Sequence, residues 1–253
     1  MLAIGARVAA RRTLGVASRA LSSLPRPQMS LEQALTSNHL ILSELEAPMM
    51  VQQLESVRAS GDILAKWQAT NGVLMHATLR ALPSLGFTSD AQGLQTYSEA
   101  FAECLRNGTE AEQSTLRGLN DSKWKVLLKH AFGCEPAEPI SLAKAREIAI
   151  DMVDALQDAT LIKQVEDAKS GLAARLSEAE RQHMVAKALV GVQADVVSKH
   201  GFSGDAGYAQ AQVCLMEYAA DAVVTASIAA ATTNIYSRAG INLQEALKSA
   251  TGG

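Results

Sequence analysis

From Ser141 onward, apolar and polar positions follow a helical rhythm. Ile148, Met152, Ala155 and Leu156 fall at helical spacing behind Ser141, a good N-cap, and predict a helix running to about Asp158. A second helix is expected over Leu161–Leu176, broken or bent near Gly171. Ser177-Glu178-Ala179-Glu180 has the form of a capping box, in which Ser and Glu satisfy each other's orphan amides. The helix it opens continues through Met184, Leu189 and Val192 to Lys199. Lys199 and His200 then sit where a helix C-terminus favours cations, and Gly201 sits where a left-handed residue is needed. Ser203 is expected to cap the last helix, with Asp205 in its first turn and Phe202 as a hydrophobic staple.

The first half follows the same scheme. Ile63–Ala81 reads as a long helix, Pro83–Gly86 as its stop, Thr88 as the next cap and Leu94–Arg106 as the next helix. Asn107-Gly108 reads as a turn, Lys123–Ala131 as a short amphipathic helix, and Gly133–Pro139 as a linker. Self-comparison sharpens the parallel. Ser30-Leu31-Glu32-Gln33-Ala34 resembles Ser141-Leu142-Ala143-Lys144-Ala145, and Gln53-Leu54-Glu55 resembles Gln164-Val165-Glu166, both 111 positions apart. Gly86-Phe87-Thr88-Ser89-Asp90 resembles Gly201-Phe202-Ser203-Gly204-Asp205 at 115. Three matches in one order, with a single shift of about one helical turn, predict a duplicated unit. The expected architecture is all-α: two tandem helical bundles of about 110 residues, 30–135 and 140–253, each of three or four helices.

Composition agrees with helices. Aromatic residues make up 4% and alanine is abundant, which suits helices and not sheets. Charge is unevenly spread. Residues 1–29 hold Arg7, Arg11, Arg12, Arg19 and Arg26 and no acid, with arginines interrupting any apolar core that a secretory signal would need. Such a segment reads as an organelle transit peptide, mitochondrial (matrix or matrix-facing) rather than plastid, cleaved near Arg19–Ser23. The alternative is a basic tail on a cytosolic protein. The remaining 18 basic and 26 acidic residues make the body acidic, which argues against nucleic-acid binding. Val213–Ala231 approaches membrane-spanning length, but Glu217 and Asp221 within it favour a buried core helix over a transmembrane span.

Ile140-Ser141-Leu142, Val192-Gln193-Ala194-Asp195-Val196-Val197 and Lys199-His200-Gly201-Phe202-Ser203-Gly204-Asp205 together resemble the small eukaryotic protein C-ten family, over Ser141 to about Ala219. The first unit matches through Gly86-Phe87-Thr88-Ser89-Asp90 and Gly93-Leu94. His200 replaces an aromatic residue of the family, and Ala206 a glycine. The resemblance implies a compact helical fold and a non-enzymatic role. Family members are typically single-unit and lack a transit peptide.

Catalytic chemistry is hard to assemble. Glu180-x-x-His183 is half of a di-iron signature without a second copy, and reads as a capping glutamate followed by a structural histidine. Cys104, Cys134 and Cys214 are far apart and read as free thiols. His39, His76, His130, His183 and His200 are scattered, and neither a nucleophile elbow nor a phosphate loop occurs. No metal or cofactor is expected. Glu147, Asp151, Asp154 and Asp158 form one acidic stripe, either a solvated face or a docking face for a basic partner. Gly86, Phe87, Thr88, Asp90, Gly201, Phe202, Ser203 and Asp205 read as structural junctions. The expectation is a non-enzymatic structural or interaction protein, an accessory subunit of a mitochondrial assembly with other proteins as partners. The alternative is a helical enzyme or ligand carrier with its site between the units.

Overall fold

The computed structural model describes residues 29–59, 61–167, 176–219 and 221–242. All regular structure among them is helical. They divide into two compact units, one ending at Pro136 and the other beginning at Ala137, within the predicted linker. The residues of the expected transit peptide up to 28, and the expected bend near Gly171, lie outside the described residues.

The first unit comprises α1 (Leu31–Glu46), α2 (Pro48–Arg58), α3 (Ile63–Ala81), a 3-10 turn (Leu82–Leu85), α4 (Ala91–Asn107) and α5 (Glu110–Phe132). Ser30 caps α1 through a capping box with Gln33, and Pro48 opens α2 where a missing N–H costs nothing. Helix α1 packs on α3 and α5, and α2 packs on the same two. Ile41, Leu45, Met50, Leu54, Leu64, Leu127 and Leu128 are buried between them. Both tryptophans of the chain lie in this core. Trp67 and Trp124 stack with centroids 5.7 Å apart and planes 8° from parallel, and Phe132 tilts against Trp67.

The expected short helix Lys123–Ala131 is the second half of α5. Thr109 and Glu112 form a capping box that starts the helix 13 residues earlier, and the joint between α4 and α5 is Gly108-Thr109, with Asn107 the last residue of α4. The count of three or four helices is likewise corrected to five.

The second unit comprises α6 (Leu142–Leu156), α7 (Ala159–Asp167), α8 (Glu178–Lys199), α9 (Gly204–Met216) and α10 (Ala222–Arg238). Helix α6 packs on α8 and α10, and α9 packs on α8. Leu156, Leu161, Val165, Leu189, Ile235 and Tyr236 form one buried cluster. Ser141 and the Ser177–Glu180 capping box start α6 and α8 as the sequence predicts.

Val213–Ala231 is not one core helix. It breaks after Met216, and Asp221 caps α10 by accepting from the amides of Val223 and Val224. Asp221 also receives the Arg146 guanidinium of α6 at 2.7 Å. Arg146 first, and then the backbone amides, hold its carboxyl below the usual carboxylate range. A cap and an ion pair at one residue outweigh the preference of the flanking apolar run for a continuous helix. Asp221→Ala is therefore expected to lower the thermal midpoint clearly more than Ser203→Ala, because Ser203 occupies an N-cap position without a side-chain cap bond. Equal shifts in parallel thermal melts would sink this assignment. The Asp221 contribution is present above the unfolded value near 3.8 and is lost as pH falls through the lower folded value.

No helix among the described residues is long and apolar enough to cross a membrane.

Candidate functional site

The two Gly-Phe junctions have the same backbone construction. Gly86 and Gly201 adopt left-handed φ of 81° and 93°, a region costly for residues with a Cβ. The Phe87 amide donates to the Leu82 carbonyl at 3.1 Å, and the Phe202 amide donates to the Val197 carbonyl at 3.0 Å. Each is the six-to-one bond of a Schellman stop. Phe87, half-buried, meets Tyr97 of α4 edge-on with centroids 5.7 Å apart, so the staple reaches into the next helix.

The caps depart from expectation. Asp90, not Thr88, caps α4, accepting from the Gly93 amide at 2.7 Å. Thr88 instead donates its hydroxyl to Asp90. One carboxylate oxygen, Oδ1, accepts from both donors, and as an anion facing the positive helix end it does so better than a threonine hydroxyl would. Ser203 stands at the start of α9 without capping it, and Asp205 lies in the first turn.

The steric role of a second glycine in each junction escaped sequence analysis. A Cβ on Gly93 would lie 1.8 Å from the Thr88 carbonyl oxygen, and one on Gly207 would lie 2.3 Å from the Phe202 carbonyl carbon. In both places the first turn of the new helix presses on backbone five residues earlier. The available signal was the recurrence of glycine at 93 and 207, shortly after each Gly-Phe pair.

The acidic stripe is mostly engaged within its own unit. Asp151 bonds the His200 ring at 2.8 Å, and Glu147 stands 3.9 Å from the other ring nitrogen and 3.1 Å from Lys144. The His200 side chain is 5% exposed, so these acids anchor the end of α8 to α6. Asp158 accepts from the Thr160 and Leu161 amides at the start of α7. Asp154 lies in the last turn of α6 and is exposed, as are the other three acids. Sequence spacing placed all four on one face; it could not show that a histidine 49 positions away closes on that face.

The most unusual polar group is Lys123, 9% exposed in the middle of α5. Its ammonium donates to the Asn38 side-chain carbonyl of α1 at 2.6 Å, and burial pulls its pKa down from 10.5 to about 8. Asn38, fully buried, passes its own amide protons to the Ala34 carbonyl at 3.1 Å. Beside it, Ser37 donates to the Ala34 carbonyl and shares a hydrogen bond with the Tyr97 hydroxyl at 3.1 Å. Burial raises the Tyr97 pKa. This polar chain ties α1 to α4 and α5 inside an apolar core. Expecting a helix to begin at Lys123 hid it, because a terminal lysine would face solvent.

The three cysteines are free, and burial raises the thiol pKa of each, that of Cys214 to about 11. His183 is exposed, and Glu180 is fully used in its capping box. Among the described residues, no group of three or more His, Cys, Asp or Glu side chains is placed to hold a metal ion. No family model, curated protein or solved structure matches the chain.

Proposed function

We propose that the protein is a non-enzymatic structural or interaction protein, an accessory subunit of a mitochondrial assembly, built as a tandem duplication of one five-helix unit. The observation that carries this reading concerns the carboxylates. Those held below the ordinary range among the described residues are Asp90, Glu112, Asp158, Glu180 and Asp221, and each bonds the amides or hydroxyl at a helix N-terminus. In enzymes, displaced proton affinities gather in a cleft around a reacting centre. Here the lowered carboxylates stand apart from one another, at the starts of α4, α5, α7, α8 and α10.

Several features support the duplication. Among the described residues both units have five helices, and in both the first packs on the third and the fifth. Ser30 and Ser141 cap the two first helices, and the stop after each third helix has the same bonds. The resemblance of residues 141–219 to the protein C-ten family points the same way, toward a compact helical module without catalysis. The arginine leader, free of acid over residues 1–29, supports import into an organelle whose interior is negative.

Native-mass separation of mitochondrial extracts, followed by detection of the protein, tests the assignment. The expected result is migration with a larger complex in a form that lacks the leader arginines. Migration near the monomer mass, or recovery in the cytosol with the leader intact, would overturn it.

A further inference from the structure

Asn-Gly occurs twice in the chain, at Asn71-Gly72 and Asn107-Gly108, and the fold treats the two pairs differently. In this dipeptide the glycine nitrogen can attack the side-chain carbonyl carbon of the asparagine, because no Cβ on the following residue stands in the way. Asn71 lies in the middle of α3, and its side-chain amide donates to the Trp67 carbonyl at 2.7 Å. Asn107 is the last residue of α4 and is exposed. Gly108 is moreover a glycine that its backbone does not require. Its φ of −70° and ψ of 153° are open to any residue, whereas Gly86, Gly133 and Gly201 stand at their helix stops with positive φ.

We propose that Asn107 is a self-modifying site, at which the chain slowly converts a neutral amide into a carboxylate. The Gly108 nitrogen bonds to the Asn107 side-chain carbon, the bond to the side-chain nitrogen breaks, and ammonia leaves a cyclic imide. Water then opens the ring at either carbonyl, giving aspartate or isoaspartate. Water is the sole co-reactant, and nothing is oxidised or reduced. One bond holds the reaction back: the Gly108 amide donates to the Cys104 carbonyl at 3.0 Å. That bond closes the end of α4, where a helix frays for almost no free energy, whereas the Gly72 amide is released only by opening the centre of α3. The product places a negative charge at the negative end of α4. Isoaspartate also lengthens the main chain beside a joint of only two residues, Gly108-Thr109. Both changes loosen the end of α4, so the conversion records the age of each copy of the protein in its structure.

Full-length protein is incubated for days at mildly alkaline pH and digested with trypsin. Cleavage separates the two sites, since Asn71 falls in Trp67–Arg80 and the other in Asn107–Arg117. Mass spectrometry should show acid accumulating in the second peptide at least about tenfold faster than in the first, because a helix end opens far more readily than a helix centre. Gly108→Ala should suppress the conversion. Its methyl needs only a small shift, with the Cys104 carbonyl oxygen at 3.3 Å and Glu112 at 3.5 Å. Asn107→Gln, at an exposed position, enlarges the ring and should suppress it as well. Aged wild-type protein should melt below fresh protein, and aged Gly108→Ala should not. Absence of the acid at Asn107, equal conversion at Asn71, undiminished conversion in Gly108→Ala, or unchanged melting of the converted protein would overturn the proposal.

Discussion

Gly93→Ala is expected to cost the first unit about 3 kcal/mol or more, and Gly207→Ala to do comparable damage in the second. The added methyl would meet the Thr88 oxygen at 1.8 Å or the Phe202 carbonyl carbon at 2.3 Å. Both obstacles are backbone, which cannot swing aside as a flexible side chain can, so the new helix must shift bodily. Gly86→Ala and Gly201→Ala provide the internal comparison. Nothing lies within 4 Å of a Cβ at either site, so only the left-handed backbone is penalised, by about 1–2 kcal/mol. The order of damage is therefore the reverse of what the Gly-Phe motif alone suggests. Urea unfolding measures it. Tryptophan fluorescence reports the first unit, because Trp67 and Trp124 both lie there, and far-ultraviolet circular dichroism reports the whole chain. If Gly93→Ala unfolds no earlier than Gly86→Ala, the close approach is not a constraint.

Lys123→Met should stabilise the protein at pH 7, an unusual outcome for a core substitution. The sign follows from the two proton affinities. The unfolded lysine titrates near 10.5 and the folded one near 8. Between these values the unfolded state binds more protons, so the lysine's contribution to stability improves as pH rises from 8 toward 10.5. Below 8 the full cost of burying the ammonium applies, about 3 kcal/mol from the gap between the two values. Methionine removes that cost but leaves the Asn38 carbonyl without its donor, returning about 1–2 kcal/mol of penalty. A net gain of about 1–2 kcal/mol remains. Cys214, raised from 9.0 to about 11, acts in the opposite direction above pH 9, so the clean window is pH 8 to 9. Over that window wild-type stability should climb relative to Lys123→Met, measured by urea midpoints. Parallel curves for the two proteins would show that Lys123 titrates as an ordinary surface lysine.

What could be read in advance followed how local the physics is. Ser141 and the Ser177–Glu180 box act within four residues, and the helices they open start where the sequence places them. The stops at Gly86 and Gly201 are equally local, since only a left-handed residue closes those bonds. Errors arose where two local signals competed. Thr88 and Asp90 both suit a cap, and the carboxylate prevails because it serves a hydroxyl and an amide together. Glu217 and Asp221 were read as intrusions into a helix, whereas Asp221 ends that helix by capping its successor and pairing with Arg146, 75 positions away. Lys123 with Asn38 and His200 with Asp151 are long-range pairs, and no periodicity announces them.

The second junction glycine carries a consequence for how such a chain can change over generations. Core positions such as Leu45 or Leu189 can drift, because a neighbour's change in volume compensates. Gly93 and Gly207 have no compensating neighbour, since what they press against is the main chain itself. After a duplication, the two copies would diverge wherever side chains meet side chains and stay alike where backbone meets backbone. Helix junctions, not cores, would then be the last places where common ancestry remains visible, and they are the segments to compare when seeking more distant kin of this chain.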